Sequence, residues 1–179
     1  MTMGLPLRFI VVAIWSSTST LEGQEPTSPV SGAVRSAAGR AASNFIGAAE
    51  EMPADKYGFK PTPAQMSFGD VIAHISAGND ALCSSIGGVA APKRSEVGAG
   101  ASKEKLLARL RETFQFCEAA LARVDDSSLG GQVPYFGDRE ISRAQAMVGA
   151  AEEWAGHYSQ LAVYLRLNGL MPPTAKPRR

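Results

Sequence analysis

Hydrophobic positions recur at intervals of three and four along four separate stretches of the chain, the spacing that puts side chains on one face of an α-helix. The first stretch predicts a helix from about Ser31 to Met52, with Val34, Ala38, Ala41, Phe45, Ala48 and Met52 on its apolar face and Pro53 at its end. Most of these side chains are small, so a neighbouring helix can approach closely. The second helix opens at Ser67, with Asp70 in capping-box spacing. Its stripe is Phe68, Val71, Ile72, Ile75, Leu82 and Ile86, and Gly87-Gly88 stop it. The third begins at Ser102 and carries Leu106, Leu110, Phe114, Cys117, Leu121 and Val124. The fourth starts with the capping pair Ser142 and Gln145, follows Met147, Ala151, Trp154, Tyr158, Leu161 and Leu165, and ends at Asn168-Gly169. Between these helices lie a turn-rich link from Pro53 to Pro63, a long loop to Ala101, and a short aromatic loop from Val133 to Asp138 with an extended piece. Four amphipathic helices of about 20 residues predict an all-α protein, a four-helix bundle over residues 31–173 with a tail at 174–179.

The pattern before Ser31 is different. Arg8 precedes an uninterrupted apolar run, Phe9 to Trp15, and small and polar residues follow it. That order reads as a secretory signal over residues 1–23, cleaved after Gly23, with a polar linker at 24–30. The run is short and no Ala-x-Ala site follows it, so a buried N-terminal strand or helix is the competing reading. A signal implies a periplasmic or secreted protein with no stable membrane span once it is removed, because no apolar run reaches the roughly 18 residues that a span needs.

Composition narrows the function only by exclusion. The 179 residues fit one domain with a real core. Eighteen Lys and Arg against seventeen Asp and Glu leave a net charge of +1 and no basic stripe, which argues against nucleic acid as a partner. Two cysteines are too few for a disulfide scaffold or a zinc ribbon. No nucleophile elbow and no phosphate-binding loop appear.

The candidate chemistry rests on the chain's two histidines, His74 on the second helix and His157 on the fourth. Glu153 stands four residues before His157, so the two share a helix face one step off the Trp154/Tyr158 seam. Around His74 the same face carries small residues, Gly78, Ala81 and Ser85, which leave room for a ligand. One histidine from each helix and a carboxylate make a three-ligand metal site with an open position. Such a Glu/His pair on a helix is also commonly a solvated hydrogen-bonded pair, and spacing does not separate the two.

The segments Met66-Ser-Phe-Gly-Asp-Val-Ile-Ala-His74 and Glu153-Trp-Ala-Gly-His-Tyr-Ser-Gln-Leu-Ala-Val-Tyr-Leu-Arg-Leu-Asn-Gly-Leu-Met-Pro-Pro173 resemble the two signature segments of the DinB-like (DinB/YfiT) superfamily. The resemblance implies a four-helix bundle in up-down-down-up order, with a long crossover between helices 2 and 3, and a homodimer as one assembly. It also implies a divalent metal, Zn, Ni or Mn, held by one histidine on helix 2 and a His-x-x-x-His pair on helix 4. By position His74 and His157 match two of those ligands, and Glu153 stands where the third histidine is expected. A carboxylate can take an imidazole's place at zinc, though it is a harder ligand and lowers the site's net charge by one.

Two functions follow as expectations. One is a metal-dependent enzyme of the thiol-transferase or hydrolase type, exported and acting on a small molecule, with Tyr158 and Gln160 supporting the ligands from behind. The alternative is a non-catalytic extracytoplasmic bundle that binds a small ligand or a protein partner. Metal uptake separates them. Where His74, Glu153 and His157 hold the ion, affinity is expected to fall below about pH 6, because neutral imidazole is the ligand.

The implied topology makes a further expectation, a disulfide between Cys83 and Cys117. From the caps Ser67 and Ser102 the two cysteines stand about 24 and 22 Å along their helices, level with each other if helices 2 and 3 run parallel. An antiparallel pair would separate them by about 16 Å, beyond the reach of a bond. Two free core cysteines are the other reading.

Overall fold

The structure is a computed structural model that describes Met1, residues 28–98 and residues 100–177. The proposed export signal, apart from Met1, lies outside the described residues, as does most of the linker. Helix α1 spans Pro29–Glu51, α2 Phe68–Gly87, α3 Lys103–Leu121 and α4 Arg143–Leu167. Between α3 and α4 two short strands, β1 (Gln132–Pro134) and β2 (Glu140–Ser142), pair antiparallel with Val133 opposite Ile141. The fold is therefore four helices with a small hairpin, and the loop predicted over Val133–Asp138 is the end of β1 and the turn that follows it. Three-residue strands are too short to show an alternating pattern, so the sequence hinted only at an extended piece.

Capping chemistry starts the helices where the sequence placed them. Ser67 and Asp70 form a full capping box at α2, and Ser142 and Gln145 form another at α4. The Ser102 hydroxyl accepts from the Lys105 amide at α3. Gly88 ends α2 with φ +62°, a backbone region that glycine enters without strain. The exception is α1, which begins two residues earlier than expected, so Pro29 and Val30 belong to the helix and not to the linker. Proline suits a first helical position because it has no N–H to satisfy. The free amides of Val30 and Ser31 are capped from far along the chain, by the Asp126 carboxylate at 3.0 and 2.8 Å. Those bonds, led by the one from the Ser31 hydroxyl, hold the Asp126 carboxyl below the usual carboxylate range.

Each helix turns the stripe read from its sequence toward the core, with Val34, Ala151 and Tyr158 only partly buried. α2 packs against α3 and α4, and α1 packs against the same two from the other side. The core is Phe45, Met52, Phe68, Ile72, Ile86, Leu106, Leu110, Leu121, Met147, Leu161, Tyr164 and Leu165, all fully buried. Across α2 and α3 the paired residues advance together, Asn79 with Thr113 and Cys83 with Cys117. Near the helix ends Gly87 lies so close to Ala120 that an added Cβ would sit 2.9 Å from its Cβ and carbonyl oxygen. Cys83 and Cys117 are joined by a disulfide with their Cα atoms 5.0 Å apart, and both are fully buried. The long connection from α2 to α3 is staked down by Arg94, which bonds Asp80 on α2 and Glu112 on α3, each at 2.9 Å. Among the described residues, no helix is long and apolar enough to cross a membrane.

Candidate metal centre

His74 lies two turns into α2, between the buried Val71, Ile72 and Ile75 on one side and the small side of the helix on the other. Glu153 and His157 flank the buried Trp154 on α4. Because α2 and α4 are neighbours, these borders face each other. The ligand-type atoms of His74, Glu153 and His157 all lie within 4.8 Å of one another. Glu153 Oε2 sits between the two imidazoles, 3.2 Å from His157 Nε2 and 3.9 Å from His74 Nε2. The rings meet edge to face with centroids 4.8 Å apart. His157 is mostly covered, whereas His74 and Glu153 remain about half exposed. Both line a cleft of about 370 Å³, with Leu82 and Phe136 on its walls and Trp154 and Asn79 at its base.

A chain of hydrogen bonds behind His157 sets which ring nitrogen is free. The Tyr164 hydroxyl donates to the Met66 carbonyl at 2.8 Å, so it can only accept from the Gln160 side chain, whose Nε2 lies 2.8 Å away. That orients the Gln160 amide with Oε1 toward His157 Nδ1, 3.2 Å away. An amide oxygen accepts, so Nδ1 carries the proton and a neutral His157 keeps the Nε2 lone pair facing Glu153 and His74. Two imidazoles and a carboxylate with a fixed tautomer fit a divalent transition ion. Gln160 thus lies behind His157, against its Nδ1. Tyr158 does not. Its hydroxyl bonds Thr174 and its ring packs on Phe45, on the side of α4 that meets α1. One residue along a helix turns a side chain by about 100°, which carries Tyr158 off the ligand face to the seam that meets α1.

Beneath the site a buried polar relay holds three helices in register. Trp154 Nε1 donates to Asn79 Oδ1 at 2.8 Å, Asn79 Nδ2 reaches Thr113 Oγ1 at 3.4 Å, and Thr113 donates to the Leu110 carbonyl at 3.0 Å. The sequence reading missed Asn79, Thr113 and Tyr164. The signal for the first two was a polar residue at a seam position of an otherwise apolar stripe. Replacing Asn79 with alanine leaves a buried indole N–H without a partner and should cost about 1–3 kcal/mol. Urea unfolding of that variant checks this, and an unchanged midpoint would remove the relay's structural role.

The sequence matches the model of the DinB superfamily over residues 37–161, a span that holds all three converging side chains. The chain belongs to the DinB superfamily. No curated protein matches it in sequence. The fold is similar to that of a DinB-like protein from Bacillus subtilis, with a TM-score of 0.65 at 18% identity over 82% of this chain and 99% of that one. A DinB-like protein from Bacillus cereus gives 0.64 at 17% identity, covering 78% and 93%. A variant of a mycothiol-dependent maleylpyruvate isomerase gives 0.60 at 12% identity over 73% of this chain and 60% of that chain. At these identities the likeness between this DinB member and the three solved structures concerns the fold.

Proposed function

We propose that this DinB protein is an exported metal-dependent enzyme of the thiol-transferase or hydrolase type, in which His74, Glu153 and His157 hold one divalent ion. The observation that carries the reading is the convergence of three donors from two helices, with Gln160 fixing the His157 tautomer. When bound, such an ion acts as a Lewis acid that lowers the pKa of a thiol or water. The residues supply the rest. His157 is anchored and mostly covered, while His74 and Glu153 line the cleft from which a substrate would arrive. The carboxylate at 153 removes one positive charge from the loaded site. Thiol chemistry draws support from the mycothiol-dependent isomerase that shares the fold. The order up-down-down-up belongs to the same reading, supported by the pairs that advance together along α2 and α3. Export is supported by the apolar run after Arg8 and by a fully buried disulfide, a bond that persists in oxidising compartments.

A second reading, a metal-free bundle that binds a small ligand or a protein partner, is favoured by the position of Glu153. Its carboxylate can pair with either imidazole unaided when that imidazole is protonated. Equilibrium dialysis of the full chain against Zn, Ni and Mn, followed by elemental analysis, separates the two. One ion per chain is the expected result. No uptake of any of the three would remove the enzyme reading and leave the second.

A further inference from the structure

The cleft beside His74 and Glu153 does not end at them. A second cavity of about 250 Å³ adjoins it, and Leu82 and Phe136 line both. Along the floor run Gly78, Ala81 and Ser85 of α2. A Cβ built on Gly78 would meet nothing within 4 Å, so its missing side chain leaves open space and not a helix contact. The wall is Phe136, 53% exposed at the turn of the hairpin. The turn that carries it is tied down. Ser85 Oγ donates to the Pro134 carbonyl, the Tyr135 amide donates to the Arg139 carbonyl at 2.8 Å, and the Tyr135 ring meets Phe136 edge to face at 4.9 Å. Val133 fastens the hairpin from below, buried against the core. Among the described residues, no Lys or Arg lines either cavity. His74 and Glu153 put the charge-bearing chemistry at one end, and the rest is chiefly carbon.

We propose that this extended cleft binds a small molecule whose body is an uncharged aromatic or alkyl group, packed between Phe136 and Leu82, with its polar head toward His74 and Glu153. The role of the head rests on the function proposed above, whereas the body's site does not depend on a metal. An exposed ring beside small floor residues offers apolar area that a neutral group covers favourably. An anionic body would lose its water with no cation to replace it and would face the Glu153 carboxylate. The larger groove between α1 and α3, about 580 Å³, lacks this combination. Its arginines are already engaged, Arg35 with the Val124 carbonyl and Arg111 with Glu50.

The test uses the full chain freed of metal with chelator and two fluorescent probes that differ by one sulfonate. These are N-phenyl-1-naphthylamine, which is neutral, and 8-anilino-1-naphthalenesulfonate. The neutral probe should bind, and both Phe136→Ala and Gly78→Leu should weaken it about tenfold or more. Gly39→Leu, which fills the other groove at a position where an added Cβ meets nothing within 4 Å, should leave binding unchanged. The sulfonate should bind at least about tenfold more weakly than its neutral counterpart, and Glu153→Gln should narrow that gap. Circular dichroism of each variant confirms that it is folded. Absence of binding, equal affinity for the two probes, or loss of binding in Gly39→Leu alone would overturn the proposal. Because the chain is metal-free here, a failure to take up metal in dialysis strikes only the function above, and a failure in this titration strikes only the cleft.

Discussion

Replacing His157 with alanine should abolish stoichiometric metal uptake while leaving the helical content unchanged. His157 is the best-placed of the three donors, because it is the most covered and the only one whose tautomer is set by a supporting chain through Gln160, Tyr164 and the Met66 carbonyl. Removing a ligand should cost more than the loss of an outer partner, which typically lowers affinity about 10–100-fold. Gln160→Leu is expected to fall within that range, since the ring would remain but lose its preferred tautomer. Glu153→His tests the carboxylate separately. An imidazole there makes the donor set softer, so preference should move from Mn toward Ni and Zn without loss of binding. Competition titrations with a chromophoric chelator read all three variants. A His157→Ala protein that still takes up one ion per chain would mean that the ion sits elsewhere. The three side chains would then be a hydrogen-bonded cluster.

How much of this was legible in the sequence depended on whether the cause was local. The stripes of α2 and α3 and the capping boxes at Ser67 and Ser142 are set by residues within a turn or two of each other, and periodicity displays them directly. The pair Glu153 and His157 was legible for the same reason. Its meeting with His74 was not, because spacing along α4 says nothing about which helix lies alongside; the family resemblance suggested that neighbour. Tyr158 was misplaced because sequence proximity to a ligand does not give a side chain the ligand's direction. The start of α1 was misjudged because its cap, Asp126, stands more than ninety residues away, and no local pattern announces a carboxylate that arrives from across the fold. Phe136 escaped notice for a related reason. An aromatic in a loop becomes a cleft wall only once a hairpin of two three-residue strands places it over α2.

Breaking the bond between Cys83 and Cys117 should lower the unfolding free energy by about 3–4 kcal/mol, the chain-entropy value for closing a loop of this length. The cysteines are 34 residues apart in sequence, and that loop includes the whole connection from α2 to α3. Domains of this size are held by about 5–15 kcal/mol in all, so the reduced protein should unfold at a much lower urea concentration. The effect should also reach the site. Asn79 and Thr113 lie one helical turn before Cys83 and Cys117, and they carry the relay that ends on Trp154 between Glu153 and His157. The covalent tie and the polar relay therefore fix one stretch of α2 against α3, from Asn79 to Cys83, just beyond His74. Unfolded, unreduced protein should titrate no free thiol, and two after reduction. Urea curves with and without a phosphine reductant should separate by the expected energy, with Cys83→Ala/Cys117→Ala following the reduced curve. Coincident curves would show that the unfolded chain gains little freedom when the loop opens. Two free thiols before reduction would show that the bond does not form, and would withdraw its support for export.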